Sequence, residues 1–189
     1  MMDEVPFVLR FLRVAVNLVP CQSARRRLWH FCKDFVYGFK ARRRGSVSRG
    51  VDFVGATKVN RKTVIGEFSV ICGLRIAGDG VVEIGRNCHI APEVLILTQN
   101  HDYDDGVRIP YGDRFHEKPV RIADFVWIGQ RVTILPGATI GEGAIVQAGS
   151  VVHGKIPPMS IVGGNPARAF AKRNEAHFLG LKANGSYDK

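Results

Sequence analysis

The chain has 189 residues, 46% hydrophobic and 23% charged, with 21 glycines, 9 prolines and a formal net charge of +10. Those figures describe one globular domain with at most a small appendage, and no apolar run approaches the ~20 residues of a membrane-spanning helix. Four cysteines, Cys21, Cys32, Cys72 and Cys88, stand at unrelated spacings without a Cys-x-x-Cys, which argues against a disulfide framework and against a zinc knuckle.

The charge is unevenly spread. Residues 1–49 hold 11 Lys/Arg against three acids, a net of +8, whereas the rest of the chain holds 16 basic and 14 acidic residues. This predicts a basic N-terminal unit, residues 1–46, on a nearly neutral body. Asp3 and Glu4, the interrupting Arg10 and Arg13, and the lack of a small-residue cleavage site speak against a secretory signal, so a cytoplasmic location is expected. Residues 5–19 read as an apolar helix broken at Pro20. Residues 23–40 read as a second helix, with Leu28, Cys32, Phe35 and Phe39 at helical spacing and basic runs at 25–27 and 42–44. Two readings stand for this pair. It caps the end of whatever follows, or residues 5–45 rest peripherally on an anionic membrane. No nucleic-acid module accompanies the charge, so nucleic acid is not an expected partner.

From residue 47 onward a period of six takes over. Val47, Phe53, Val59, Ile65 and Ile71 form one phase, Ile84, Ile90 and Ile96 a second, and Ile122, Ile128, Ile134, Ile140, Val146 and Val152 a third. Positions six apart lie ~240° apart on a helix and cannot share its buried face, whereas six is a multiple of the strand period. Two residues before each aliphatic the residue is usually small, as at Val51, Thr57, Thr63, Ser69, Cys88, Val94, Val126, Val132, Ala138, Ala144 and Ser150. A glycine or alanine often follows, which lets the backbone turn a tight corner. A β-sandwich would space its strands 8 to 12 residues apart with variable loops, so the hexad predicts a β-solenoid over residues 47–170.

The hexad fails between Ile96 and Ile122, which predicts an extruded loop over 98–120 carrying Asn100, His101, Asp102, Tyr103, Asp104, Asp105 and His116. Its acids do not fit a calcium loop, because with Asn100 as the first position the sixth is Asp105 where glycine is needed. His89, His101 and His116 lack the close pairing of a three-histidine zinc site, so no metal is expected. Pro157, Pro158 and Gly163-Gly164 end the solenoid, and residues 171–189 form a terminal unit, with a short capping helix expected over 170–182.

Three further stretches carry a resemblance: Thr98-Gln99-Asn100-His101-Asp102-Tyr103; Val126-Trp127-Ile128-Gly129; and Ala148-Gly149-Ser150-Val151-Val152 with Ile156-Pro157-Pro158 and Gly164-Asn165-Pro166-Ala167-Arg168. With the hexads they identify the chain as similar to the hexapeptide-repeat acyltransferases, and among them to the galactoside, maltose and polysaccharide O-acetyltransferases. The resemblance implies a left-handed parallel β-helix with three hexads to a coil, an exception to the usual crossover hand. It implies an acetyl-CoA-dependent acetyltransferase acting on a sugar or glycan hydroxyl, working as a homotrimer with its sites between subunits. His101 then matches the general base, for which a neutral imidazole suits pH 7. Trp127 lines the cleft, and Gly129 and Gln130 match the place where a backbone amide meets the thioester oxygen. Ala148, Gly149, His153 and Gly154 match the coenzyme arm, and Arg168, assisted by Lys172, its phosphates. Asn100, Asp102 and Asp79 are expected at the acceptor, with loop structure as the other reading of the acids at 102, 104 and 105. Amino-sugar N-acetylation, a γ-type carbonic anhydrase and a non-catalytic scaffold remain as alternatives.

Overall fold

A computed structural model describes residues 7–19 and 22–187 of the chain. Two helices, α1 (Phe7–Asn17) and α2 (Gln22–Arg44), precede a solenoid of short strands, and a third, α3 (Glu175–Ala183), follows it. The second helix runs four residues past its expected end, to the corner where the first strand begins.

The solenoid winds through six coils. The first holds β1 (Ser46–Val47), β2 (Asp52–Phe53) and β3 (Thr57–Lys58); the second β4 (Thr63–Ile65), β5 (Val70–Ile71) and β6 (Leu74–Ala77); the third β7 (Val82–Ile84), β8 (His89–Ile90) and β9 (Val94–Leu97). A hairpin of β10 (Gln99–His101) and β11 (Phe115–Glu117) then leaves the wall. The fourth coil holds β12 (Val120–Ile122), β13 (Trp127–Ile128) and β14 (Thr133–Ile134), and the fifth β15 (Thr139–Ile140), β16 (Ile145–Val146) and β17 (Val151–Val152). The sixth holds β18 (Lys155–Ile156) and β19 (Ser160–Gly163), and β20 (Arg168–Lys172) folds back on it. Parallel pairing stacks these strands into three faces, β1-β4-β7-β12-β15-β18, β2-β5-β8-β13-β16-β19 and β3-β6-β9-β14-β17. The fold is a left-handed parallel β-helix, as the resemblance implied.

The register explains the hexads. Ile65, Ile84, Ile122, Ile140 and Ile156 align down the first face, and Phe53, Ile71, Ile90, Ile128, Val146 and Val162 down the second. Each is buried, as are all the small inward residues named above except Thr57, so one continuous apolar column fills the triangle. The first phase slip also has a cause. On the third face Ile76, not residue 77, aligns with Ile96 and Ile134, and the turn Gly78-Asp79-Gly80 adds residues before the next coil starts. Cys88 belongs to the column, and burial pushes its thiol up to about 12.

The corner between the first and second faces has a left-handed residue at each level: Gly50, Phe68, Asn87, Phe125, Gly143 and Met159, with φ between 52° and 68°. Non-glycine residues there cost roughly 1 kcal/mol each, and Phe68 and Phe125 gain an arginine over the ring, Arg49 and Arg86 at 5.6 and 5.5 Å. That corner also receives the C-terminus. Residues 168–172, part of which was expected to be helical, extend the second sheet as β20, antiparallel to β19. Asn174 then caps α3 by accepting from the His177 N–H, and Phe178 buries itself edge-on against Phe125.

Helix α2 closes the open end of the first coil. Ala41 is buried in the solenoid column and Tyr37 packs on it, while Arg42 donates to the Val51 carbonyl at 2.8 Å. The two N-terminal helices have a small core of their own, Leu9, Val16 and Cys32 with Trp29 and Val36 against it.

Candidate active site

The hairpin leaves at the corner between the third and first faces. Its base is closed by the Lys118 N–H donating to the Thr98 carbonyl at 2.8 Å, and its strands pair antiparallel with His101 opposite Phe115 and Asn100 opposite His116. His101 is half-buried, its ring stacked on Tyr111 at 3.7 Å and 21° and tilted against Phe115 at 4.3 Å. An imidazole packed against two aromatic rings is restricted in its rotation. Its Nδ1 is buried without a hydrogen-bond partner among the described residues. Sequence reasoning did not find this clamp, since lone aromatics in a loop carry no periodic signal.

Asp102 corrects one expectation. Its side chain is turned into the hairpin, only 3% exposed, and cannot reach an acceptor outside. One carboxylate oxygen accepts from the Asp105 N–H at 3.0 Å and from His116 Nε2 at 3.3 Å. The Asp105 bond holds the carboxyl below the usual aspartate range, against the opposing cost of burial and with help from His116 and Arg114. Asp102 and His116 together brace the turn that carries Tyr111. The other two expected acceptor residues lie at the surface. Asn100 is exposed on β10, and Asp79 is exposed in the Gly78-Asp79-Gly80 turn one coil below, its N–H donating to the Gln99 side chain at 3.2 Å.

The coenzyme candidates divide between two corners. His153 and Gly154 lie on the hairpin's own corner two coils on, and Arg168 donates from Nη1 to His153 Nε2 at 2.9 Å, which leaves the His153 proton on Nδ1. Gly154 and Gly149 are exposed with nothing within 4 Å of where a side chain would begin. Ala148 and Gly149 lie on the corner between the second and third faces, beside Gln130, whose carbonyl accepts from the Gly149 N–H at 2.8 Å. Lys172 does not join Arg168. It stands at the far end of β20, about 13 Å away at ~3.3 Å per strand residue.

Trp127 is half exposed on the second face, between His89 and Ile145, and with Phe178, Leu181 and Lys182 it lines a groove of about 490 Å³ under α3. The Gly129 amide is spent in the ladder, donating to the Val146 carbonyl at 2.8 Å, so it is not free to face a thioester oxygen as expected. Trp127 and Gln130 are separated from His101 by the width of the third face, and one chain does not bring them together. His89 likewise sits on the second face, away from His101 and His116. Among the described residues no group of three or more His, Cys, Asp or Glu side chains could hold a metal ion.

Residues 119–154 match the family described as bacterial transferase hexapeptide (six repeats). The chain is 30% identical over 168 residues to the putative acetyltransferase YvoF of Bacillus subtilis, covering 87% of this chain and 81% of that protein. It is 39% identical over 117 residues to the putative lipopolysaccharide biosynthesis O-acetyl transferase WbbJ of Escherichia coli, covering 58% of this chain and 60% of that one. The structure of a galactoside acetyltransferase in complex with coenzyme A superposes with a TM-score of 0.60 at 26% identity, over 90% of this chain and 81% of that chain. The chain spans about half the length of several curated relatives it matches, between 44% and 60%.

Proposed function

This chain belongs to the hexapeptide-repeat acetyltransferase family, and from that premise we propose that it moves an acetyl group from acetyl-CoA to a sugar hydroxyl in glycan or polysaccharide biosynthesis, with His101 as general base. The observation that carries the reading is the clamped imidazole at the solenoid corner that also bears the His153–Arg168 pair. Acetyl-CoA, when bound, supplies a thioester carbonyl for attack and a thiol to leave.

The residues present fit that donor. Arg168, oriented by His153, offers donors to a phosphate, and the open ground before Gly149 and Gly154 admits a chain lying close to the backbone. At the acceptor, Asn100 and Asp79 orient the sugar. Because Nδ1 of His101 is the buried nitrogen, Nε2 takes the hydroxyl proton as the oxygen attacks. The Gln130 amide faces the oxygen on which charge develops. The distance between Trp127 and His101 within one chain supports a homotrimer in which one copy's second face lies beside the next copy's hairpin, completing the site.

The test is thiol release from acetyl-CoA across free sugars, nucleotide-linked amino sugars and lipid-linked glycans. Turnover with a sugar hydroxyl is the expected result. Acetylation of amino sugars alone would replace the O-transfer reading with N-transfer, and failure to bind acetyl-CoA would overturn both.

A further inference from the structure

A cap needs one apolar face, and the N-terminal helices have more than one. Toward the solenoid α2 spends Tyr37 and Ala41, and toward each other the helices spend Leu9, Val16, Cys32, Trp29 and Val36. A further apolar stripe on each helix faces outward. On α2 it is Leu28, Phe31, Phe35 and Phe39, spaced by three and four residues, with Phe31, Phe35 and Phe39 67%, 64% and 53% exposed. On α1 it is Val8 and Phe11, and Leu18, just past the helix end, is 80% exposed. Exposed large apolar residues in such a row mark a contact surface.

The charge around these stripes selects the occupant. The two helices carry ten Lys/Arg against the single acid Asp34, and among the described residues no salt bridge engages a cation of either helix. Arg43 lies over the Phe39 ring at 5.5 Å, so cation and aromatic reach the surface together. A second copy of the same face would bring a second set of these cations against the first. A nucleic acid would meet the charge but leave the phenylalanine row unused. No helix among the described residues is long and apolar enough to cross a membrane.

We propose that the α1–α2 hairpin docks in the plane of an anionic lipid bilayer, its phenylalanine stripe entering the headgroup boundary and its arginines meeting lipid phosphates. This goes beyond the acetyltransferase reading and does not depend on it.

The test is flotation of the full chain with large vesicles of phosphatidylcholine alone or mixed with phosphatidylglycerol. Expected is binding to the anionic vesicles, weakened by salt, and little to the neutral ones. The triple variant Phe31→Ala, Phe35→Ala, Phe39→Ala removes only exposed rings, and its thermal transition should match wild type while its partitioning falls by at least about ten-fold. Each of Arg26→Gln and Arg27→Gln should lower partitioning roughly five-fold at low salt. Equal binding to neutral vesicles, or none to anionic ones, overturns the proposal. So does a fall in oligomeric state in the triple variant, which would make the stripe a contact between copies. Binding of RNA that survives the triple variant, with no vesicle binding, overturns it in favour of a nucleic acid.

Discussion

Gly129 stands where the fold and the proposed chemistry meet. A Cβ at this position would lie 2.5 Å from the Ala148 nitrogen, 2.9 Å from its Cα and 2.9 Å from the Val146 carbonyl oxygen, all backbone atoms of the next coil. That same oxygen accepts the Gly129 N–H at 2.8 Å, so the Gly129→Ala clash cannot be relieved without stretching the ladder bond. Restoring ordinary contact near ~3.4 Å moves the two coils apart by roughly 0.5 to 0.9 Å. Overpacking of this kind costs about 1–3 kcal/mol, and the weakened bond about 1 kcal/mol more. For a chain of this size that lowers Tm by roughly 4–16 °C. The adjacent Gln130 amide shifts with the backbone, and a displacement of this order should lower kcat at least about ten-fold. Gly149→Ala is the matched control, since nothing lies within 4 Å of its new methyl and only its φ of 72° opposes the change. It should lose about 1 kcal/mol, or roughly 2–4 °C. Thermal unfolding by circular dichroism with thiol-release kinetics reads both. A Gly129→Ala protein that melts with wild type, or a Gly149→Ala protein that melts below the Gly129→Ala protein, refutes the reasoning.

Arg168→Ala should raise KM for acetyl-CoA by about 10- to 100-fold through the lost charged hydrogen bond, while Lys172→Ala, at the far end of β20, should leave it near wild type; steady-state kinetics separates them. Because the Asp102 carboxyl is held below its ordinary range, the stability it contributes is complete above that range and is lost as pH falls through the depressed value. Asp102→Asn should therefore melt lower than wild type at pH 7, and the gap should close below about pH 4 in a melting series. With its thiol pushed up to about 12, Cys88 should stay unmodified by iodoacetamide at pH 8 in the folded protein, as read by mass spectrometry of its peptide.

The solenoid was legible because its interior is one-dimensional. Each coil repeats the same inward pair, a small residue and two positions later an aliphatic, so Val126 and Ile128 or Ala144 and Val146 announce the wall wherever they occur. The loop that carries His101 was legible where that repetition stops. What surrounds His101 was not, because Tyr111 and Phe115 reach it through a hairpin whose pairing follows from backbone register and carries no pattern in the residues. For Asp102 the choice between loop structure and acceptor contact was not legible for the same reason. An acid beside a loop histidine reads as exposed until the Asp105 N–H and His116 are seen to turn it inward. Strand β20 escaped because Arg168-Ala169-Phe170-Ala171-Lys172 has helix-compatible residues, and the edge of β19 overrides that preference. The N-terminal charge was visible at once. That it surrounds an outward row of phenylalanines, beyond what the cap uses, needed the packing of α1 on α2.

The central claim is tested most directly by kcat for acetyl transfer in His101→Ala, measured beside its affinity for coenzyme A. The proposed role predicts a fall of about 10² to 10⁴ in kcat with coenzyme affinity and thermal transition unchanged. A variant that turns over at near the wild-type rate would contradict it.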